Sequence, residues 1–234
     1  MKIDVLSLFP GMFEGFLNSS IIKRAIEKKI IEVRIIDFRT YSKDIHHKVD
    51  DYSIGGGSGM VLMPQPIFDS VLDIKTKDSV VILLTPQGKT YKQNMAYDFS
   101  KMKHLIIICG HYEGFDERIR TLADMEISIG DFILTGGELA SMVLIDSIAR
   151  LIPGVIKDDS HIQESFNDNL LDYPVYTKPI VYKDMKVPDI LLSGHHENIN
   201  KWRKDESIKR TIERRPDLLG KRWFYEFCCW EKKI

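Results

Sequence analysis

Three short segments of this sequence carry glycines directly after apolar runs, and they are its first candidates for chemistry. They are "LLTPQG" (83–88), "IICGHYEG" (107–114) and "SIGDFILTGGE" (128–138). Glycine leaves the neighbouring backbone N–H and C=O groups uncovered, because it has no side chain. If the three runs are neighbouring parallel strands, the segments meet beyond the carboxyl ends of the strands, where such sheets bind ligands. The pattern predicts a small-molecule site that is built mainly from backbone groups.

Spacing alone leaves other interpretations of these segments open. None of the three segments matches a phosphate-binding loop or the dinucleotide-binding fingerprint. Each glycine could simply end a strand, and Thr135 with Glu138 fits a helix capping box. A fourth cluster, "DDYSIGGGSGMV" (50–61), follows a polar stretch, and its spacing indicates a flexible loop. Asp50 and Asp51 beside that loop could be solvated or could order it.

The elements that must position these segments alternate along the first two thirds of the chain. Wholly apolar runs such as "VVILL" (80–84) and "LIIIC" (105–109) are typical of strands that are covered on both faces. Apolar residues at helical spacing predict helices between the strands. The alternation indicates an α/β fold with a mostly parallel sheet. Strands are predicted in "KIDVLSLF", "IEVRIIDF" and the two apolar runs, and helices in "SSIIKRAIEKK", "YKQNMAYDFSKM" and "LASMVLIDSIARLI" (139–152).

Composition limits the class of protein. The chain has 234 residues and a net charge of −1, so a polyanionic partner would have to meet a local basic patch. Cys109, Cys228 and Cys229 form no disulfide or zinc pattern, which predicts a reduced, cytoplasmic protein. The amino-terminal segment is not a signal peptide, since Asp4 interrupts its apolar run and Pro10 ends it. No apolar run is long enough to span a membrane, so we expect no membrane partner.

From Ile156 the sequence becomes polar and weakly periodic. We expect a main domain at 1–155, a polar interdomain linker at 156–172 and a smaller helical domain at 173–234. The last domain is locally basic, and Trp202 lies among its cations. These residues could form a solvated helix face, but as a patch they predict contact with phosphates. The cations concerned are Lys201, Arg203, Lys204, Lys209, Arg210, Arg214 and Arg215.

Eight segments, taken together and in order, resemble the signature segments of the bacterial tRNA (guanine-N1)-methyltransferases. The resemblance runs from Met1 to about Leu219 and implies methylation of the guanine at position 37, next to the anticodon. The segments are "SLFPGMF", "VDDYSIGGGSGM", "TPQG", "CGHYEGFDER", "SIGDFILTGGELA", "IDSIARLIPGV", "ESFNDNLLDYPVYTKP" and "VPDILLSGHHENINKWR".

The resemblance implies a SPOUT-type α/β fold with a deep trefoil knot and a homodimer with shared active sites. It also implies S-adenosylmethionine as methyl donor and a dependence on magnesium, for which Glu113 and Asp131 are the acids to inspect. Transferred by motif, the donor-binding residues are Leu84, Thr85, Pro86, Gln87, Gly88, Gly110, Tyr112, Glu113, Gly114, Ser128, Ile129, Gly130, Asp131, Phe132, Ile133, Leu134, Gly136 and Gly137.

By the same resemblance, two residues are candidates for catalysis. Guanine N1 carries a proton, so its methylation needs a base near N1 and a cation or donors near O6. Glu164 stands where the family has its acidic general base, which is aspartate in many members, and Arg150 matches the arginine assigned to the target base. Without the motif, Arg150 could complement a helix dipole and Glu164 could be a solvated acid beside Asp158, Asp159 and Asp168.

Two other functions stay open at this point. The chain could be an RNA-binding module that kept the fold and lost catalysis, although an arginine and a carboxylate stand at the two catalytic positions. It could also be a related knotted methyltransferase that acts on another nucleotide.

In the methyltransferase that the resemblance implies, the target base must leave the stacked anticodon loop. The linker 156–172 is predicted to become ordered over the base only when the base has left the loop.

Overall fold

The computed structural model describes residues 1–157 and 164–220, the side chain of Asn167 excepted. The chain divides into two compact units, Met1–Lys157 and Asp158–Ile234. Cys228, Cys229, Asp158 and Asp159 lie outside the described residues, as do parts of the predicted linker and of the predicted helical domain.

The first unit is built on a five-stranded parallel sheet with the strand order β2-β1-β6-β5-β7. Every neighbouring pair in it is parallel. The prediction of an α/β fold with a parallel sheet is therefore confirmed. The strands of this unit are β1 (Lys2–Ser7), β2 (Glu32–Asp37), β3 (Asp50–Asp51), β4 (Val61–Leu62), β5 (Ser79–Thr90), β6 (His104–Ile108) and β7 (Met125–Ser128).

Helices cover both faces of this sheet, which explains the unbroken apolar runs. Alternate residues of a strand point to opposite faces. Strand β6 shows the division, because Leu105 and Ile107 pack in one core and Ile106 and Ile108 pack in the other. Helices α2, α4 and α5 pack in the first core and α3 in the second. The helices are α1 (Glu14–Leu17), α2 (Ser20–Glu27), α3 (Pro64–Ile74), α4 (Gln93–Phe99) and α5 (Glu138–Ala149).

Several helices differ from the sequence prediction. The helix predicted at 139–152 is α5, which begins one residue earlier and ends at Ala149, and helices α2 and α4 are shorter than the predicted segments. Helices α1 and α3 were not predicted, although Pro64 at the start of α3 favours a first helical turn.

Strand β5 is longer than the predicted strand 80–84. Leu84 and Lys89 both pair with Ile127 of β7, so residues 85–88 bulge out and the strand then resumes. A Cβ atom on Gly88 would lie 2.4 Å from the backbone nitrogen of Ile127, so this close approach requires glycine. The prediction that the strand ends at Leu84 is therefore wrong, because the pairing with β7 continues beyond the bulge.

The glycine cluster at 55–59 connects two short strands. Strands β3 and β4 pair antiparallel, and the glycines lie between them. Asp51 accepts a hydrogen bond from the backbone nitrogen of Tyr52 and pairs with Lys48. The segment predicted as a loop is therefore a hairpin, and Asp51 helps to order it.

The second unit contains a small hairpin and a long helix. Its strands are β8 (Val181–Tyr182) and β9 (Met185–Lys186), and its helices are α6 (Asp189–Leu192) and α7 (His196–Arg214). Helix α7 buries Ile199, Ser207 and Thr211, and the Thr211 hydroxyl accepts a hydrogen bond from the backbone nitrogen of Leu171 at 2.8 Å. None of the described helices of either unit has both the length and the apolar character that a membrane span requires.

A buried carboxylate joins three strands of the large sheet. Asp4 of β1 is fully buried and accepts two hydrogen bonds from Arg34 of β2, at 2.6 and 2.8 Å. Its Oδ2 also lies 2.8 Å from Nε2 of His104 on β6. Burial by itself raises the pKa of Asp4, but the hydrogen bonds from Arg34 and His104 outweigh it and hold the pKa below its usual value.

We expect Asp4→Asn to lower the free energy of unfolding by about 3 kcal/mol at pH 7, because it leaves the buried His104 and the partly exposed Arg34 without a charged acceptor. The pKa of Asp4 is lower in the folded state than in the unfolded state, where it is about 3.9. The stabilisation from the Asp4 carboxylate is therefore present above the unfolded-state pKa and is lost as the pH falls through the folded-state pKa. Urea unfolding at pH 7 and at a pH near 3 measures the difference between wild type and variant.

Asp78→Asn is the matched control, since Asp78 pairs with Lys103 at the surface at 3.3 Å. It should change the free energy of unfolding by less than about 1 kcal/mol. A difference between wild type and Asp4→Asn that is the same at both pH values would contradict the account.

Candidate functional site

A cavity of about 320 Å³ lies at the carboxyl ends of β6 and β7, beside the bulge of β5. All three glycine-bearing segments of the sequence contribute to it. Leu84 and the start of the β5 bulge form one part, the turn after β6 forms another, and the segment between β7 and α5 forms the rest. The lining residues are 84–86, 110–115, 127–130, 132–137 and Ala140.

Most residues predicted to bind the donor line this cavity, and three do not. Gly88 packs on the backbone of β7, the side chain of Gln87 accepts a hydrogen bond from Arg120, and Asp131 is exposed. The structure brings the other predicted residues together in one place. These are Leu84, Thr85, Pro86, Gly110, Tyr112, Glu113, Gly114, Ser128, Ile129, Gly130, Phe132, Ile133, Leu134, Gly136 and Gly137.

Five lining residues were not predicted to bind the donor. His111 and Thr135 lie inside the glycine-bearing segments, so treating each segment as continuous would have included them, and Phe115 directly follows one segment. Ile127 and Ala140 belong to β7 and α5. No local feature of the sequence distinguishes these two from ordinary core residues.

Two glycines allow the segments at 110–115 and 129–137 to touch backbone to backbone. The backbone nitrogen of Gly137 donates to the carbonyl oxygen of Gly110 at 2.8 Å. A Cβ atom on Gly137 would lie 2.7 Å from Cα of Cys109, and one on Gly110 would lie 2.6 Å from the Phe115 ring. The glycines here serve close approach between neighbouring segments of the cavity wall.

The hairpin of β3 and β4 supports the same wall from outside. The backbone nitrogen of Glu113 donates to the carbonyl oxygen of Met60 at 2.9 Å, and that of Leu62 donates to the carbonyl oxygen of Gly114 at 2.9 Å. A Cβ atom on Gly59 would lie 2.5 Å from Cγ of Glu113. The fourth glycine cluster of the sequence therefore packs against the turn that lines the cavity.

The capping-box interpretation of Thr135 and Glu138 is wrong. Helix α5 is capped by Gly137, with no hydrogen bond from a capping side chain. Glu138 is buried, and its carboxylate contacts the hydroxyl of Ser7 and the imidazole of His111. The acid at this position therefore belongs to the interior beside the cavity.

The residues at the cavity suit ligand binding rather than catalysis by a cysteine nucleophile. Cys109 is the thiol beneath it, and burial raises the pKa of that thiol, so it stays protonated at neutral pH. Leu84, Ile129 and Leu134 pack on the core and provide apolar walls. Across residues 1–157 and 164–220, no three His, Cys, Asp or Glu side chains are grouped so that they could hold a metal ion.

The two predicted catalytic residues lie in different units. Arg150 follows the last residue of α5 in the first unit and is half-buried. Glu164 is half-buried in the second unit. The hydroxyl of Ser165, beside it, accepts a hydrogen bond from the backbone nitrogen of Asp172 at 3.0 Å, which ties this part of the predicted linker together.

A parallel α/β sheet with a glycine-bearing cavity at its strand ends defines the class: an α/β protein with a candidate small-molecule site where such sheets bind ligands. Comparison with known proteins identifies the family. The model of the family described as "tRNA (Guanine-1)-methyltransferase TrmD" matches residues 1–221. The chain belongs to this family, and the resemblance drawn from its motifs is confirmed.

Similar proteins named tRNA (guanine-N(1)-)-methyltransferase support the assignment over nearly full length. The protein from Malacoplasma penetrans is 57% identical over 221 residues, which cover 94% of this chain and 98% of the relative. The one from Geobacillus kaustophilus is 53% identical over 245 residues, which cover 100% and 99%. The one from Mycoplasma mycoides subsp. mycoides SC is 53% identical over 220 residues, which cover 94% and 92%.

Proposed function

We propose that this protein transfers a methyl group from S-adenosylmethionine to N1 of guanine in tRNA, and that the target is the guanine at position 37, next to the anticodon. Membership of the family and the names of its relatives support the reaction. The observation that carries the proposal is the cavity, since three glycine-bearing segments of a family member meet at it. A tRNA substrate also implies work in the cytoplasm.

The cavity fits the donor by its chemistry. Segments 110–115 and 127–137 offer backbone N–H and C=O groups to the polar edges of an adenosine, and Leu84, Ile129 and Leu134 offer apolar contact to its ring. When bound, the donor supplies a methyl group on a positively charged sulfur. The residues around it hold and orient the molecule, which is the protein's share of such a reaction.

Two residues are proposed to act on the target base. Glu164 would take the proton from guanine N1, and the electron pair left on N1 would form the bond to the methyl carbon while the bond from that carbon to the donor sulfur breaks and its electron pair stays on the sulfur. Negative charge that develops toward O6 is stabilised by the guanidinium of Arg150. The half-burial of both side chains supports these roles, because partial exclusion of water strengthens the interactions.

The knot and the dimer of the SPOUT family are part of the proposal. Backbone contact between segments 110–115 and 129–137 supports a knot in this region. Helix α5 supports a dimer, because its apolar residues Leu139 and Val143 are 50% and 47% exposed one turn apart. Sedimentation velocity tests the dimer, and a monomer at micromolar concentration would contradict it.

The second unit is proposed to bind tRNA. Lys201, Lys204 and Lys209 of α7 are exposed and can meet phosphates, while Arg203 stacks 4.9 Å from the ring centre of Tyr173. Residues 156–172 are proposed to close over the flipped base.

The resemblance also implies a magnesium ion. Residues 1–157 and 164–220 provide no group of protein ligands for it, and the proposed reaction includes no step at this ion.

We expect Glu164→Gln to lower the turnover number for guanine-37 tRNA by at least about 100-fold, because general-base catalysis contributes about 10²–10⁴-fold. Transfer of labelled methyl groups to unmodified tRNA with guanine or adenine at position 37 measures this. Donor affinity, measured by calorimetry, should stay within about 3-fold of wild type, since Glu164 acts on the base.

Asp168→Asn is the matched control, because Asp168 is an exposed acid four residues away whose backbone φ of 51° asparagine also tolerates. It should leave turnover unchanged. Full turnover in Glu164→Gln would contradict the assignment of Glu164 as the base and leave the proposed function standing. Equal labelling of both tRNAs would contradict guanine 37 as the target. Donor binding without any labelling would favour the RNA-binding module that lost catalysis.

A further inference from the structure

A buried polar cluster of Ser7, His111 and Glu138 lies beside the cavity, and the proposed transfer does not use it. Ser7 ends β1, Glu138 begins α5 and is 1% exposed, and His111 lies in the turn after β6. The Ser7 hydroxyl donates to Oε1 of Glu138 at 2.6 Å. Oε2 of the same carboxylate lies 2.7 Å from Nε2 of His111. One carboxylate therefore connects three elements to the cavity wall.

The hydrogen bonds in this cluster fix the tautomer of His111. The Ser7 hydroxyl accepts from the backbone nitrogen of Phe9 at 2.9 Å, so its own proton is directed to Glu138. An ionised carboxylate only accepts, and the start of the α5 helix favours its negative charge. The proton of the imidazole must therefore be on Nε2, and in the neutral ring Nδ1 is left as an acceptor.

Packing fixes the position of the same ring. The Phe9 ring lies 4.6 Å away between centroids, at an angle of 57°. A Cβ atom on Gly136 would lie 2.1 Å from Nε2 of His111 and 2.5 Å from Oε2 of Glu138. The first glycine of "TGGE" therefore makes room for the histidine–glutamate pair, and the pair lies directly on the third glycine-bearing segment of the cavity.

We propose that Glu138 is a positioning residue that holds His111 in its Nε2–H tautomer, and that His111 helps to determine which donor the cavity accepts. This inference rests on the proposed function. His111 lines the cavity, and when its ring is neutral Nδ1 can accept a hydrogen bond from a bound ligand. Such an acceptor suits a ligand that carries N–H donors, as S-adenosylmethionine does.

The substitution Glu138→Gln separates this role from simple packing. The new amide oxygen can still accept from Ser7, but the amide NH2 group then faces Nε2 of His111 and requires an acceptor there. Glu138→Gln should therefore move the proton of His111 to Nδ1 at nearly constant volume. We expect S-adenosylmethionine to bind about 10-fold more weakly, as for the loss of one hydrogen bond.

The experiment combines two measurements on the full chain. Nitrogen-15 NMR of the imidazole rings, without ligand, reports the tautomer, and His111→Gln assigns the His111 signals. Calorimetry reports the affinity for S-adenosylmethionine. Asp4→Asn is the matched control, because Asp4 pairs with His104 at 2.8 Å in a buried site outside the cavity lining. It should alter stability and leave donor affinity within about 2-fold of wild type, since the two sites share no partner.

A tautomer shift together with weaker donor binding in Glu138→Gln supports the inference. It is overturned if His111 of the wild type carries its proton on Nδ1, or if Glu138→Gln binds the donor as tightly as the wild type. A wild type that binds no S-adenosylmethionine overturns the proposed function and the donor role of His111 together. If the wild type binds S-adenosylmethionine and Glu138→Gln binds it equally tightly, this inference alone is overturned.

Discussion

The cavity depends on one close contact between two stretches of backbone. Where Gly137 donates to the carbonyl oxygen of Gly110, there is no space for a Cβ atom on Gly137. This contact joins the turn after β6 to the start of α5. The two segments that meet there line the cavity, and their positions are held by the strands and the helix. The proposed donor site follows from that arrangement.

Buried carboxylates hold the sheet at two places. Asp4 joins β1 to β2 and β6, and Glu138 joins the end of β1 to α5 and to the turn that carries His111. Each carboxylate accepts from more than one partner, which is what allows a charged group to be buried. Both join residues that are distant in sequence, since Ser7 and Glu138 are 131 positions apart. The sheet and the cavity are therefore stabilised by the same type of interaction.

Local features of the sequence predicted the sheet and most of the cavity. Apolar runs indicate buried strands, and glycines directly after them indicate exposed backbone at the strand ends. Features that depend on distant partners were not predictable. Strand β5 resumes after its bulge because of β7, and Glu138 fits a capping box locally but is bonded to Ser7 instead. The roles of Arg150 and Glu164 come from the family resemblance, since each is an ordinary polar residue by local pattern.

Hydrogen–deuterium exchange with and without S-adenosylmethionine tests the central claim, that the glycine-lined cavity holds the methyl donor. The account predicts slower exchange on donor binding in the amides of 110–115 and 129–137. Unchanged exchange in both cavity segments at saturating donor would contradict the account.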